Sequence, residues 1–378
     1  MKQIPLFKVF IAPEIDKPLL EVLHSGFIGE GESVKNFELN LAKYIENSKL
    51  ATVNSGTSSL HLAYHLSLYR QNKSYKIDSE LEIISSPMTC TATNTPIINN
   101  GAKIIWADCD PITGNIDPDS IRKKITKKTK AIVMIHWGGN PCLINEINKI
   151  AQEYDIKTIE DCAHAIGASY DGKKIGNTIS DFSCFSFQAI KHITSIDGGL
   201  ITTKKQEDIE RIKLLRWFGI DREPKTKEAI DLRCEIDVPE AGYKFHMNNI
   251  SAVVGNENLK HVDNIIFKHR DNANFYNKIF SDAKIRFAPE NHQSAYWLYT
   301  IHVENRDELM IKLKEFGINS SKVHARNDTH SMFKDFYDTN LPGVEDFNRT
   351  HLCIPVGWWV DNQDRQLIAE KVIEFAKN

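Results

Sequence analysis

Apolar and polar positions along this chain switch repeatedly between two periods. Short β-branched runs at 82–86 (Glu-Ile-Ile-Ser-Ser), 103–107 (Lys-Ile-Ile-Trp-Ala), 130–136 (Lys-Ala-Ile-Val-Met-Ile-His) and 157–161 (Lys-Thr-Ile-Glu-Asp) read as buried strands, and the stretches between them as helices. Strand–helix alternation at this spacing predicts an α/β protein with a mostly parallel sheet, whose ligands bind outside the carboxyl ends of the strands. Those ends carry Pro87-Met-Thr-Cys90, Asp108, His136-Trp-Gly-Gly139 and Glu160-Asp-Cys-Ala-His164. Function is expected to collect there.

Ahead of these runs, 18–24 reads as a helix ended by Gly26, Phe27-Ile-Gly-Glu-Gly31 as a glycine-rich loop, and the residues after it as a helix through Tyr44. A short apolar piece from Ala51 then leads through Ser55-Gly-Thr-Ser58 into helical spacing at Leu60, Ala63, Tyr64 and Leu68. A helix start rich in hydroxyls and free N–H groups suits a phosphate, because first-turn amides lack intrahelical acceptors and the helix dipole favours an anion. A plain Ser or Thr cap has the same look. Downstream, alternation over 182–187 predicts a strand and 200–203 a second one, with Lys191 on the turn between them. Its neighbours are apolar and hydroxyl residues, not carboxylates, and such surroundings lower the pKa of an amine toward that of a working nucleophile. A solvated loop lysine is the ordinary alternative.

After a helix over 206–217 comes a polar connection to Pro239, and then a helix over 248–259. Residues 294–303 alternate like a half-buried strand, and 307–316 read as a helix closed by Gly317, as in a small α+β domain. The boundary is placed near 245, giving a large domain over 1–245 and a small one over 246–378.

With 378 residues, 41% of them hydrophobic, the chain can bury the core of one large and one smaller domain. A net charge of −3 with 47 scattered basic residues predicts no nucleic-acid or membrane partner. Seven widely spaced cysteines (90, 109, 142, 162, 184, 234 and 353) predict reduced thiols and a cytoplasmic protein, and they show no zinc spacing, so no metal is expected.

Three motifs in order resemble the DegT/DnrJ/EryC1/StrS family of pyridoxal-phosphate nucleotide-sugar aminotransferases. They are Ser55-Gly-Thr-x-x-Leu60, Glu160-Asp-x-Ala-His164, and Ser186-Phe-x-x-x-Lys191 followed by Gly198-Gly199; Thr113-Gly-Asn-Ile-Asp-Pro118 fits a structural segment of the same family. The resemblance implies a fold type I architecture, a large domain with a mostly parallel mixed sheet plus a small C-terminal α+β domain. It implies that Lys191 holds the cofactor covalently and then serves as general base and acid, and that Asp161 pairs with the protonated ring nitrogen. By the same match His164 lies near the cofactor's O3′ oxygen, while Gly56, Thr57, Ser58 and Ser186 hold the phosphate.

The sequence departs from the family at two places. Where most members stack an aromatic on the cofactor ring, this chain offers Cys90 or Met88, leaving Trp137 or His136 as replacements. Gly242-Tyr-Lys-Phe-His-Met247 aligns with Gly-x-Asn-x-Arg-Met, so Lys244 stands for the asparagine that reaches the neighbouring subunit's cofactor phosphate, and His246 for the arginine. A lysine can neutralise phosphate as a point charge. The implied enzyme is a homodimer with shared active sites. It moves an amino group from glutamate to a keto group, 4-keto favoured and 3-keto possible, of a nucleotide-linked deoxy sugar used for surface polysaccharide or lipopolysaccharide. The alternatives are a sugar dehydratase of the same fold, with histidine in place of the lysine and His192 as its one hint here, and a non-catalytic sugar-binding relative. Specificity is expected in the loops 27–31, 216–222 and 322–330, the last with Arg326 added and His330 in register.

Overall fold

The computed structural model describes residues 2–69, 80–221, 237–289, 293–338 and 340–376; Arg222, Cys234 and most of the connection before Pro239 lie outside the described residues. Helices α1 (Asp16–His24) and α2 (Glu32–Ile45) precede β1 (Leu50–Val53). The chain then alternates through α3 (Gly56–Leu68), β2 (Glu82–Ser85), α4 (Thr91–Asn99), β3 (Lys103–Trp106), α5 (Pro118–Lys124), β4 (Thr129–Ile135), α6 (Ile144–Glu153) and β5 (Lys157–Asp161). A small hairpin of β6 (Ser169–Tyr170) and β7 (Lys173–Lys174) leads to β8 (Phe182–Ser186), β9 (Gly199–Thr203) and α7 (Gln206–Leu215). All four β-branched runs are strands.

They belong to a seven-stranded sheet in the order β1-β9-β8-β5-β4-β2-β3. Pairing is parallel from β3 through β2, β4 and β5 to β8, whereas β9 runs antiparallel to both β8 and β1. A parallel sheet is covered on both faces, and β4 shows why its sequence is a continuous apolar run. Ala131, Val133 and Ile135 enter one apolar cluster with Leu60, Ala63 and Trp106, while Ile132 and Met134 enter the other with Phe37, Leu41 and Ile144. The covering helices carry the matching spacing. Ile144, Ile147, Ile150 and Ala151 line the buried stripe of α6, and α5 starts on Pro118 behind an Asp117 side chain that accepts the amides of Asp119 and Ser120.

Two expected elements are shorter than their patterns. The helix read to Trp217 stops at Leu215, because Trp217 pairs as a β-bridge with Lys244. The half-buried strand read over 294–303 is a fully buried one, β11 (Tyr299–His302). Its first half is drawn off instead to the large sheet's loops, where Ala295 N–H donates to the Gly139 carbonyl (3.1 Å) and Leu298 N–H to the Gly138 carbonyl (3.2 Å). Tyr296 holds a left-handed backbone there (φ 48°).

The C-terminal part adds α8 (Asn249–Leu259), α9 (Val262–Asp282), β10 (Arg286–Phe287), α10 (Arg306–Glu315), α11 (Pro342–Thr350), β12 (His351–Ile354) and α12 (Asn362–Phe375), with β10, β11 and β12 in one antiparallel sheet. Ala252 and Leu259 of α8, and Val262, Ile265 and Ile266 at the start of α9, are buried in the large core. Ala273, Tyr276 and Phe280 further along α9 are buried in the small one, together with Ile4. On this packing we propose that the division falls inside α9 near residues 267–272, beyond the position expected at 245.

Candidate active site

β5 and β8 are parallel neighbours with Asp161 opposite Cys184, so their carboxyl ends lie side by side, and β9 returns with Gly199 opposite both Ser186 and Val53. That register brings the start of α3, the end of β8 and the Lys191 turn together. The approach depends on two glycines. A Cβ on Gly56 would stand 2.8 Å from Ser186 Cβ, and one on Gly199 only 2.4 Å from the Ser55 carbonyl oxygen. Ser55 caps α3, its Oγ accepting the Ser58 amide at 3.0 Å. The Ser58 hydroxyl donates to Asn54 Oδ1 (2.6 Å), so Ser58, which is buried, helps build the helix end; Thr57 is exposed and Ser186 half-buried. In the first turn the Gly56 and Thr57 amides lie before any intrahelical acceptor.

Asp161 is 5% exposed, and its two oxygens accept from the Thr93 hydroxyl (2.7 Å) and the Ala163 amide (3.0 Å). Both donors are neutral, and among the described residues Asp161 makes no ion pair. A buried carboxylate held by neutral donors alone is costly, by several kcal/mol after relaxation, and a cation brought to it is correspondingly stabilised.

Lys191 sits on a turn closed by Phe187 N–H to the Gly198 carbonyl (2.8 Å) and Ser195 N–H to the Phe187 carbonyl (2.9 Å). Burial pushes its pKa down to about 8, against the opposing pull of Asp161 and Cys90. Among the described residues its ammonium makes no ion pair and no hydrogen bond. It lies instead over the ring of Trp297, 3.9 Å from the centroid. The same indole stacks on His164 at 3.9 Å and 19°. Burial first, then Lys191 and His324, hold His164 well below the usual histidine range, and its buried Nδ1 has no hydrogen-bond partner. His192, next to Lys191, is a core histidine: its ring nitrogen is bonded to the Ala295 carbonyl at 3.0 Å.

Both aromatics expected as replacements are held by partners within the chain. His136 is fully buried, one ring nitrogen on Glu160 (3.0 Å) and the other accepting the Cys142 amide (3.1 Å). Trp137 is also buried, and donates to Thr300. The ring beside Lys191 and His164 is Trp297, which sequence reasoning missed because it was read as one position of a half-buried strand. His136, Glu160 and Cys162 do bring ligand atoms within 4.8 Å of one another, yet the hydrogen bonds just described satisfy both ring nitrogens of the histidine. Cys90 precedes α4 and is exposed; the other described cysteines are buried and free.

Lys244 is exposed, with its ammonium 3.4 Å from the Trp217 ring centroid, and its carbonyl accepts from Asn54 beside the start of α3 (3.2 Å). The expected specificity loops are tied into the same framework. Arg216, itself buried, binds Glu30 of the 27–31 loop (2.5 Å), Glu38 and the Thr52 carbonyl. Asn327 of the 322–330 loop donates to the Thr89 carbonyl (2.7 Å) and accepts from Asn94 (2.9 Å), which docks that loop on the segment carrying Thr93. Arg326 pairs with the buried Asp328.

A helix start whose first amides lie before any intrahelical acceptor, a buried carboxylate with no ion pair among the described residues, an orphaned imidazole nitrogen and a lysine of lowered pKa fit pyridoxal phosphate. Comparison with known proteins points the same way. The chain matches the DegT/DnrJ/EryC1/StrS aminotransferase family over residues 10–373. It is similar to the crystal structure of the sugar aminotransferase CalS13 from Micromonospora echinospora, with 34% identity and a TM-score of 0.91 over 98% of this chain and 100% of that one. It is 28% identical to the UDP-4-amino-4,6-dideoxy-N-acetyl-beta-L-altrosamine transaminase of Campylobacter jejuni, covering 94% of this chain and 93% of that one. Likewise it is 28% identical to the spore coat polysaccharide biosynthesis protein SpsC of Bacillus subtilis, covering 99% and 97%.

Proposed function

Because the chain belongs to the DegT/DnrJ/EryC1/StrS aminotransferase family, and is thus a fold type I, pyridoxal-phosphate-dependent sugar aminotransferase, we propose that its acceptor is a nucleotide-linked deoxy sugar bearing a keto group. The 4-keto position is favoured over the 3-keto, glutamate donates the amino group, and the product serves surface polysaccharide or lipopolysaccharide. The observation that carries this reading is the near full-length match to a transaminase of a UDP-linked 4-amino sugar; the match to a polysaccharide biosynthesis protein supports the destination.

When bound, the cofactor supplies an electron sink. The chain does the rest. The Gly56 and Thr57 amides, with the Thr57 and Ser186 hydroxyls, would hold the cofactor's phosphate, a reading supported by the free first turn of α3 and its close approach to Ser186. Asp161 supplies the anion that keeps a ring nitrogen protonated, and Thr93 and Ala163 fix its orientation. Lys191, with a pKa near 8, is available both to take a proton from the amino donor's carbon and to return one to the acceptor's. His164, held neutral by burial, can donate or accept a single hydrogen bond at its free Nδ1. No helix among the described residues is long and apolar enough to cross a membrane.

We further propose a homodimer whose partner chain completes each site through Lys244. Exposed apolar residues support an interface, Phe27 at 80% and Ile28 at 50% exposure on the loop that Arg216 anchors. The deciding experiment is a screen of dTDP-, UDP- and GDP-linked 4-keto and 3-keto sugars with glutamate, read by mass spectrometry. Amination of a 4-keto substrate is expected; amination of 3-keto sugars alone, or of free sugars only, overturns the proposed acceptor.

A further inference from the structure

Both neighbours of Lys191 in the chain are tied to one short segment, 295–297. The Ile190 carbonyl accepts the indole N–H of Trp297 (3.0 Å), and the His192 ring bonds the Ala295 carbonyl (3.0 Å). The segment is itself fixed on the loop after β4, where the Ala295 N–H donates to the Gly139 carbonyl and the adjoining Leu298 N–H to the Gly138 carbonyl, and on α9 by His269, whose Nδ1 bonds the Tyr296 carbonyl at 2.8 Å. Trp297 is 3% exposed and packed by Phe7 (4.8 Å, 21°) and His164 (3.9 Å, 19°). Its one polar atom is used on the residue before the lysine, and its π-face on the lysine's ammonium. An indole so constrained has no freedom to follow the amine; it fixes where the amine rests.

We propose that Trp297 is the positioning residue for Lys191: it holds the turn through Ile190, and its ring face stabilises the ammonium whenever the lysine is free of the cofactor. A cation over an aromatic face is favoured, and the more so where water is excluded. Burial acts in the opposite direction, against the charged form. The ring therefore keeps the proton affinity of a buried amine from falling too far, so that both its protonated and its neutral form are populated near neutral pH. This rests on reading Lys191 as the cofactor-holding lysine, but the test below uses neither cofactor nor sugar, so the two can fail separately.

The groups facing the Lys191 amine are Asp161 and Cys90, which favour its charge, and the imidazoles of His164, His192 and His324, which are held neutral mainly by burial. None of these residues is substituted in the variants that test the ring, and His164, which stacks on it, stays buried mainly against the rest of the site only if the replacement fills the space, as Trp297→Phe and Trp297→Met do. The full-length chain freed of cofactor is treated with formaldehyde and borohydride across a pH series, and methylation of Lys191 is followed by peptide mass spectrometry, with the exposed Lys127 as internal control. Trp297→Leu should lower the midpoint pH of Lys191 methylation by about half to one unit, a change of about three- to tenfold in proton affinity. Trp297→Phe, which restores a face, should return it toward wild type. Should the leucine variant fold poorly, Trp297→Met fills the space without a π-face and decides the matter. A role in packing alone predicts a different sign: loosening the site admits water, which raises the midpoint. An unchanged or raised midpoint in a well-folded leucine or methionine variant overturns the proposal.

Discussion

Asp161→Asn separates charge from shape at the most constrained carboxylate in the site. The side chain keeps its volume, and the Ala163 amide keeps its acceptor if the asparagine oxygen takes the place of Oδ1. At the other atom the Thr93 hydroxyl must turn from donating to accepting, which its bond with the Thr89 hydroxyl (2.8 Å) allows, because either oxygen of that pair can be the donor. The fold should therefore lose no more than about 1 kcal/mol, the net worth of one exchanged hydrogen bond. Removing a buried carboxylate that makes no ion pair among the described residues works against that loss. Catalysis has no such compensation. Asp161 is the carboxylate proposed to keep the ring nitrogen charged, and losing a preorganised charge of this kind lowers turnover by about 10²-fold or more, roughly 2.7 kcal/mol of barrier. The assay is a single-turnover half-reaction with glutamate, followed in the visible, beside a thermal melt and a cofactor titration. A variant that melts with wild type, binds cofactor and turns over within about threefold of wild type would refute the role of Asp161.

Gly199→Ala should strike the phosphate cradle, because its Cβ would lie 2.4 Å from the Ser55 carbonyl oxygen and 2.7 Å from the Gly56 nitrogen, backbone that cannot swing aside. Stability should fall by about 1–3 kcal/mol and cofactor affinity by more than tenfold, as read by a melt and an equilibrium titration; wild-type affinity would place the phosphate elsewhere. Lys244→Ala should weaken cofactor retention if the partner chain's Lys244 serves each site, and mixing it with inactive Lys191→Ala should give hybrid dimers with one intact site and recovered activity. Retention equal to wild type would leave Lys244 with its contacts inside its own chain, such as that with Trp217, and sink the shared-site proposal, leaving the aminotransferase assignment in place.

The features legible in the sequence are those encoded within one turn of chain. A β-branched run that ends in a carboxylate, a hydroxyl-rich start to an apolar helix, and a lysine between two alternating runs each carry their own local geometry, so Asp161, Gly56 and Lys191 could be picked out as candidates without a fold. Trp297, Asn327 and Arg216 could not, because what each does is defined by a partner far away in sequence: the Ile190 carbonyl, Thr89 and Asn94, and Glu30 with Glu38. The same cause shortened the strand read over 294–303. Its alternation is real, but tertiary hydrogen bonds to Gly138 and Gly139 outweigh strand propensity over its first half. The left-handed backbone at Tyr296, which such a residue adopts at a cost of order 1 kcal/mol or more, is what turns the next side chain from a strand position into a contact with Lys191. The pKa of Lys191 follows the same logic. Its sequence neighbours show only that no carboxylate is adjacent. Burial lowers it, and part of what surrounds its ammonium is Trp297, which follows α9 in the chain, so the chemistry of this lysine is set in part by a residue far away in sequence.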